Sequence, residues 1–191
     1  MDALFPSPAA GFDNPIDILD GCHERILRNC ALVERIAAHV AARGPDAESA
    51  QASRSVVRYF DTAGANHHRD EEDDLFPALQ QYAPSEELNA VFDLIFRLKA
   101  DHKRLDAAWL AMRVRLSAIA EGRDGGITQA IAHEFAAAYE SHIALEEAEL
   151  LPLARRVLDP SVILDLGSRM ARRRGVQPGL PSMRGRVSTG Q

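Results

Sequence analysis

Apolar residues recur in steps of three and four positions over long stretches of this 191-residue chain, which is the spacing that lines one face of an α-helix. The clearest stretch consists of Val91, Ile95, Leu98, Leu105, Trp109, Met112, Leu116 and Ile119. No segment shows the strict alternation of a half-buried strand. Since long helices joined by short turns pack as antiparallel neighbours, we predict an all-α fold, an up-down antiparallel four-helix bundle with a short fifth C-terminal helix.

Proline and glycine mark the ends of the predicted helices. The helices are expected to run from Asn14-Pro15 to Gly44-Pro45, over about 46–82, from near Pro84-Ser85 to Gly122, over about 127–158, and over about 161–174. Pro77 is expected to kink the second helix or to end its regular part, because proline has no backbone N–H. We divide the chain into an irregular N-terminus (1–13), the bundle (14–165) and a basic, mostly disordered tail (166–191).

Charge is distributed unevenly along the chain. Residues 1–165 carry 16 Lys and Arg against 28 Asp and Glu, a net charge of −12, whereas residues 166–191 carry six Arg and no acid. The acidic body argues against nucleic acid as a partner, and the tail is either idle or a weak anion-binding segment. Without a signal peptide or a stretch of roughly 20 apolar residues, we expect a cytoplasmic protein with no membrane partner and with Cys22 and Cys30 as reduced core residues.

One histidine in each of the four predicted helices falls in phase with the apolar stripe: His23, His67, His102 and His142. Two residues at the same height in neighbouring antiparallel helices are equally far in sequence from the turn that joins those helices. The midpoints between successive histidines fall at 45, between 84 and 85, and at 122, which are the predicted turns. The four imidazoles are therefore predicted to meet in one cross-section of the bundle, either as a metal site or as a metal-free polar layer.

Two of these histidines begin a repeated frame, His-x-x-x-Glu-Glu-x-x-Leu-x-Pro, which places Glu71 four residues after His67 and Glu146 four residues after His142. Residues four apart share a helix face, so both carboxylates should point inward beside the imidazoles. Isolated carboxylates there would be costly to desolvate, and a metal would remove that cost. Nitrogen and carboxylate donors together suit first-row transition ions better than Ca²⁺ or Mg²⁺. Two ions bridged by the carboxylates would use all six side chains.

The other polar residues near the repeat receive simpler interpretations. Four acids of the 70–74 run are expected on a solvated face: Asp70, Glu72, Asp73 and Asp74. His68 lies four before Glu72 and could be an outer neighbour of the ligands. His39 and His133 are expected at the surface because they lie roughly opposite the ligand faces of their helices.

The residues that carry this pattern are CHERIL around His23, HHRDEEDDLFP, ADHKRL around His102 and HIALEEAELLP. Together they resemble the hemerythrin-like domain family, also called the HHE cation-binding family, over about residues 14–165. The resemblance implies a non-haem di-iron site in a four-helix bundle, with two iron ions (Fe²⁺ or Fe³⁺), an oxo or hydroxo bridge, and O₂, NO or peroxide at an open position. Manganese or zinc remains an alternative. Matching positions give the metal ligands His23, His67, Glu71, His102, His142 and Glu146.

The chain departs from the oxygen-carrying members at one position. Those members have a fifth histidine one turn from the third-helix ligand, where this chain has Leu98 and Asp106. Asp106 or a water would have to take that place, which puts oxygen carriage in doubt. The resemblance therefore implies small-ligand binding for oxygen, iron or nitric oxide sensing, storage or detoxification, with a protein partner if the chain is a sensor.

The alternative function is a redox enzyme at the same site: a ferroxidase, a catalase-like protein or an iron-donor repair protein. A ferritin-like oxidase is disfavoured because none of the seven histidines has glutamate three positions before it. A hydrolytic zinc protein is disfavoured because there is no His-Glu-x-x-His segment.

Overall fold

The computed structural model describes residues 11–176, and all regular structure in that range is helical. The predicted all-α fold and helical bundle are thereby confirmed. Most of the expected irregular N-terminus (1–10) and much of the basic tail (177–191) lie outside the described residues. None of the described helices combines the length and apolar character needed to cross a membrane.

The helices follow the predicted order, with small shifts at their ends. They are α1 (Pro15–Arg43), α2 (Ala47–Tyr59), α3 (Ala65–Arg69), α4 (Phe76–Tyr82), α5 (Leu88–Ala120), α6 (Gln129–Leu145), α7 (Leu151–Val157) and α8 (Pro160–Arg173). The α5 helix begins later than predicted because residues 85–87 form a turn, in which the Glu87 N–H donates to the Pro84 carbonyl at 2.9 Å. The α6 helix begins after Thr128, whose hydroxyl accepts the Ile131 N–H.

Three short π-helical segments interrupt the second and fourth predicted helices: π1 (Phe60–Gly64), π2 (Asp70–Leu75) and π3 (Glu146–Leu150). Pro77 and Pro152 follow π2 and π3, each at the second position of the next α-helix. A proline cannot donate the regular helical hydrogen bond, and a π bulge is one way in which a helix accommodates this loss. The repeated sequence frame thus produces the same local structure twice, and π2 and π3 each carry one of the two predicted glutamate ligands.

Four helices form a ring around the centre of the molecule. The α1 helix packs against α2 and α6, and α5 packs against the same two helices. The α8 helix returns to pack against α1 and π2.

Two apolar cores fill this bundle, one on each side of the histidine level. The first contains Ile26, Phe60 and Leu105, and the second contains Leu19, Leu75 and Leu98. His102 lies between Leu98 of one core and Leu105 of the other, and His23 lies between Leu19 and Ile26 in the same way. The histidines therefore form a polar layer between two water-excluding regions.

Candidate metal centre

All six residues predicted as metal ligands lie in that polar layer. They come from six helical segments: His23 from α1, His67 from α3, Glu71 from π2, His102 from α5, His142 from α6 and Glu146 from π3. Each is at most 3% exposed to solvent. The structure thus brings together side chains that are up to 123 positions apart in the sequence.

Glu146 lies at the centre of the cluster. Its carboxylate oxygens are 2.9 Å from Nε2 of His142 and 3.1 Å from Nε2 of His23. They are 3.7 Å from Nε2 of His102 and 3.8 Å from Nε2 of His67. This one carboxylate therefore lies within reach of all four imidazoles.

Glu71 occupies a similar but less central place. Its oxygens lie 3.5 Å from Nε2 of His67 and 3.3 Å from Nε2 of His102. The six side chains divide into two groups that share both glutamates: His23 and His67 with the carboxylates, and His102 and His142 with the same carboxylates. Within each group one donor atom per residue lies within 4.8 Å of every other donor atom.

The hydrogen bonding of these groups favours a bound cation. Nε2 of each of the four histidines and both carboxylate oxygens of Glu71 and Glu146 are buried without a hydrogen-bond partner. A buried polar atom left without a partner costs about 1–3 kcal/mol. Imidazole nitrogens and carboxylate oxygens are ligands of first-row transition ions, so a metal of that class fits this set of residues.

The carboxylates also control the protonation of the imidazoles. Burial lowers the pKa of His102, but the nearby carboxylates of Glu146 and Glu71 outweigh burial and raise it to about 10. The pKa values of His67 and His23 are raised in the same way, against burial. Burial raises the pKa of Glu146, but contacts with His102, His142 and the other imidazoles hold it well below the usual range. The layer therefore attracts positive charge, and protons compete with any metal for its nitrogens.

Two further glutamates hold the outer sides of the imidazole rings. Nδ1 of His23 lies 3.1 Å from Glu147, and Nδ1 of His102 lies 2.7 Å from Glu72. Metal-binding histidines usually donate their second N–H to a carboxylate in this way, which orients the ring and directs the other nitrogen to the metal. The sequence contained a signal for both residues, because each is the second glutamate of the repeated Glu-Glu pair.

His68 and Asp106 form a pair at the edge of the layer. Nδ1 of His68 lies 3.3 Å from Asp106, and its ring stacks on His102 with centroids 4.1 Å apart. Ring nitrogens of His68, His102 and His142 lie within 4.8 Å of each other. The rings of His68 and His102 are stacked with their planes only 14° apart, so a single ion cannot lie in the plane of both rings. His68 is thus placed as an outer neighbour, with Asp106 as its partner.

The expectation of a solvated face for the 70–74 run was wrong for two residues. Asp70 and Asp74 are only 0% and 5% exposed, because α8 packs on π2 and brings arginines to both carboxylates. Asp73 is exposed as expected. Glu72 is partly exposed but bonds His102.

The remaining two histidines differ in exposure, and both cysteines are buried. His133 is exposed as predicted, whereas His39 is partly buried and bonds Asp46 at 2.8 Å. Cys22 and Cys30 are free, buried core residues.

Comparisons with known proteins identify the family of this chain. A family model described as the hemerythrin HHE cation binding domain matches residues 14–154. A protein of Haemophilus influenzae (strain ATCC 51907 / DSM 11121 / KW20 / Rd), named only as an uncharacterized protein, is 29% identical over 177 residues, which cover 93% of this chain and 99% of the relative. The chain belongs to the hemerythrin family of HHE cation-binding domains.

Proposed function

We propose that this chain binds two iron ions in its polar layer and that the pair binds O₂, NO or peroxide. One ion would be held by His23 and His67, the other by His102 and His142, and Glu71 and Glu146 would be shared. The proposal includes an up-down antiparallel order for the four helices of the ring. The biological role would be sensing, storage or detoxification involving oxygen, iron or nitric oxide.

The observation that carries the proposal is the overlap of two four-donor groups on the same two carboxylates. A single ion would leave half of the buried imidazoles without a partner. Two ions sharing Glu71 and Glu146 would engage every unpartnered Nε2 in the layer. Each ion would then have two nitrogen and two carboxylate ligands from the protein, and would keep positions for a small ligand.

The chain's own residues would perform three tasks around the ions. Glu72 and Glu147 orient His102 and His23 through Nδ1, so that each Nε2 faces inward. The apolar cores on both sides exclude water from the layer. Bound iron would supply reversible redox change and open coordination positions.

Metal analysis with an absorption spectrum tests the proposal. Protein from iron-replete growth is expected to contain two iron ions per chain and to gain a near-ultraviolet band when it is reduced and then exposed to air. Glu146→Gln is expected to lose iron, and the control Glu149→Gln, which changes an exposed glutamate of the same π segment, should keep it. Colourless protein with stoichiometric zinc, or full iron retention by Glu146→Gln, would contradict the proposal.

The same preparation separates a binding protein from a redox enzyme. A spectral change that reverses when the gas is removed indicates binding. Steady consumption of peroxide or continuous oxidation of added Fe²⁺ indicates an enzyme.

A further inference from the structure

The two buried aspartates of π2 are neutralised from the far end of the chain. The Arg174 guanidinium donates to the Asp70 carboxylate at 2.6 Å and 3.1 Å, and Arg173 donates to the same carboxylate. Arg173 also donates to the Asp74 carboxylate at 2.7 Å. Arg169 lies 3.7 Å from Asp74. These contacts form a connected ion cluster between π2 and the C-terminal end of α8, where Arg174 directly follows the helix.

Burial makes this cluster different from a surface salt bridge. Asp70 is fully buried, and the side chains of Arg173 and Arg174 are 16% and 21% exposed. An exposed ion pair contributes little, but removing one partner of a buried pair leaves a charge that neither water nor protein compensates. The position of π2 should therefore depend on the arginines.

The cluster lies next to the metal centre along the chain. Asp70 and Glu71 are consecutive residues of π2, both fully buried, and their carboxylates point to different partners. Asp70 binds the arginines of α8, whereas Glu71 faces His67 and His102. Whatever holds Asp70 thus also limits the movement of the backbone that presents Glu71.

We propose that Arg173 and Arg174 are positioning residues of the metal centre, which hold π2 through Asp70 and Asp74 so that the Glu71 carboxylate stays in the shared position. This inference rests on the proposed function of the layer. The supporting helix α8 begins at Pro160, beyond the region matched by the family model, which ends at 154. The centre of this chain would therefore depend on a helix outside the matched domain.

The α8 helix has other anchors, so the arginines can be changed without removing it. Leu166, Met170 and Ala171 are buried in its inner face. Gly167 lies so close to the Phe12 carbonyl that only a residue without a side chain fits. Loss of the ion pairs is therefore expected to loosen π2 while α8 remains docked.

The test compares Arg173→Gln/Arg174→Gln with the control Arg172→Gln, an exposed arginine of the same helix. Each full-length protein is loaded with Zn²⁺, and its release to a chromogenic chelator is timed. Outer-residue substitutions at metal sites typically lower affinity by about 10–100-fold, and we expect release from the double variant to be faster by a comparable factor. The control should match the wild type, and circular dichroism should show unchanged helix content.

If the double glutamine variant does not fold, single lysine variants test the role of the two arginines. Arg173→Lys and Arg174→Lys keep the charge but lose the forked geometry, and each should release Zn²⁺ faster than the wild type. Unchanged release from folded arginine variants would overturn this inference alone. A wild-type chain that binds neither Zn²⁺ nor iron would overturn both this inference and the proposed function.

Discussion

Nδ1 of His102 lies 2.7 Å from a carboxylate oxygen of Glu72, which is the shortest contact between an imidazole of the layer and an outer carboxylate among the described residues. The contact places the proton of a neutral His102 on Nδ1 and leaves the lone pair of Nε2 facing Glu71 and Glu146. A partly exposed glutamate thus determines which side of a buried ring can bind a metal.

Replacing Glu72 by alanine is therefore expected to weaken metal binding although Glu72 is not itself a ligand. The predicted loss is about 10–100-fold in affinity, the usual effect of removing such an outer partner. Competition with a chelator of known affinity measures it. Glu86→Ala, an exposed glutamate in the turn before α5, is the control and should bind as the wild type. Equal affinities of the two variants would contradict an orienting role for Glu72.

Metal affinity should rise with pH between 6 and 8. The pKa of His102 is about 10 because Glu146 and Glu71 outweigh the opposing effect of burial, so the ring is protonated in the metal-free protein over this range. A metal must displace that proton, and each proton released makes the affinity rise about tenfold per pH unit. Zn²⁺ titrations at pH 6, 7 and 8, with calorimetry in buffers of different ionisation enthalpy, count the protons. An affinity that does not change with pH would contradict this.

The same raised pKa has a consequence for the metal-free fold. A histidine with a raised pKa stabilises the folded state fully below its unfolded pKa of 6.5, and this contribution is lost as the pH rises through about 10. The metal-free protein should therefore lose thermal stability in alkaline buffer, and bound metal should reduce that loss because it replaces the proton.

Two helix glycines should respond in opposite ways to alanine. A Cβ at Gly167 would lie 1.6 Å from the Phe12 carbonyl oxygen, so Gly167→Ala should displace α8 from the N-terminal segment and lower the thermal midpoint. A Cβ at Gly21 in α1 would meet nothing within 4 Å. Gly21→Ala should stabilise the protein by roughly 0.8–1.0 kcal/mol, the difference in helix propensity. Thermal unfolding of both variants provides the measurement, and a stabilised Gly167→Ala would show that α8 is not seated as described.

Asp106 should be dispensable for the metals themselves. Its side chain is 68% exposed and contacts His68 rather than the six-residue cluster. Asp106→Asn should therefore retain two metal ions per chain, as determined by elemental analysis. Retention of only one ion would identify Asp106 as a direct ligand and would require a different role for His68.

Much of the fold and of the site could be predicted because the relevant signals are local in sequence. Helical period and turn residues depend only on nearby positions, and they place His23, His67, His102 and His142 at one level once the turns are known. The fourth-residue spacing then adds Glu71 and Glu146 to the same layer. Their burial and proximity agree with this reasoning, and their role as ligands stays a proposal.

The residues whose surroundings could not be predicted correctly are those that contact segments distant in the sequence. Asp70 and Asp74 were expected on a solvated face because the sequence near positions 70 to 74 shows no partner for either carboxylate. Their arginine partners lie 99 to 104 positions further along the chain, at the C-terminal end of α8. The sequence of π2 does not show which face of α8 will pack against it. The stacking of His68 on His102 likewise depends on how two helices are rotated against each other.

The amino-acid sequence by itself determined that this chain is helical and that four histidines and two glutamates share a level, since those properties follow from spacing along single helices and across short turns. The tertiary structure alone decided which carboxylates hold the imidazoles from outside and which are neutralised by α8. The physical reason is that a carboxylate's role depends on burial and on the charge facing it, and both arise only when separate helices pack together.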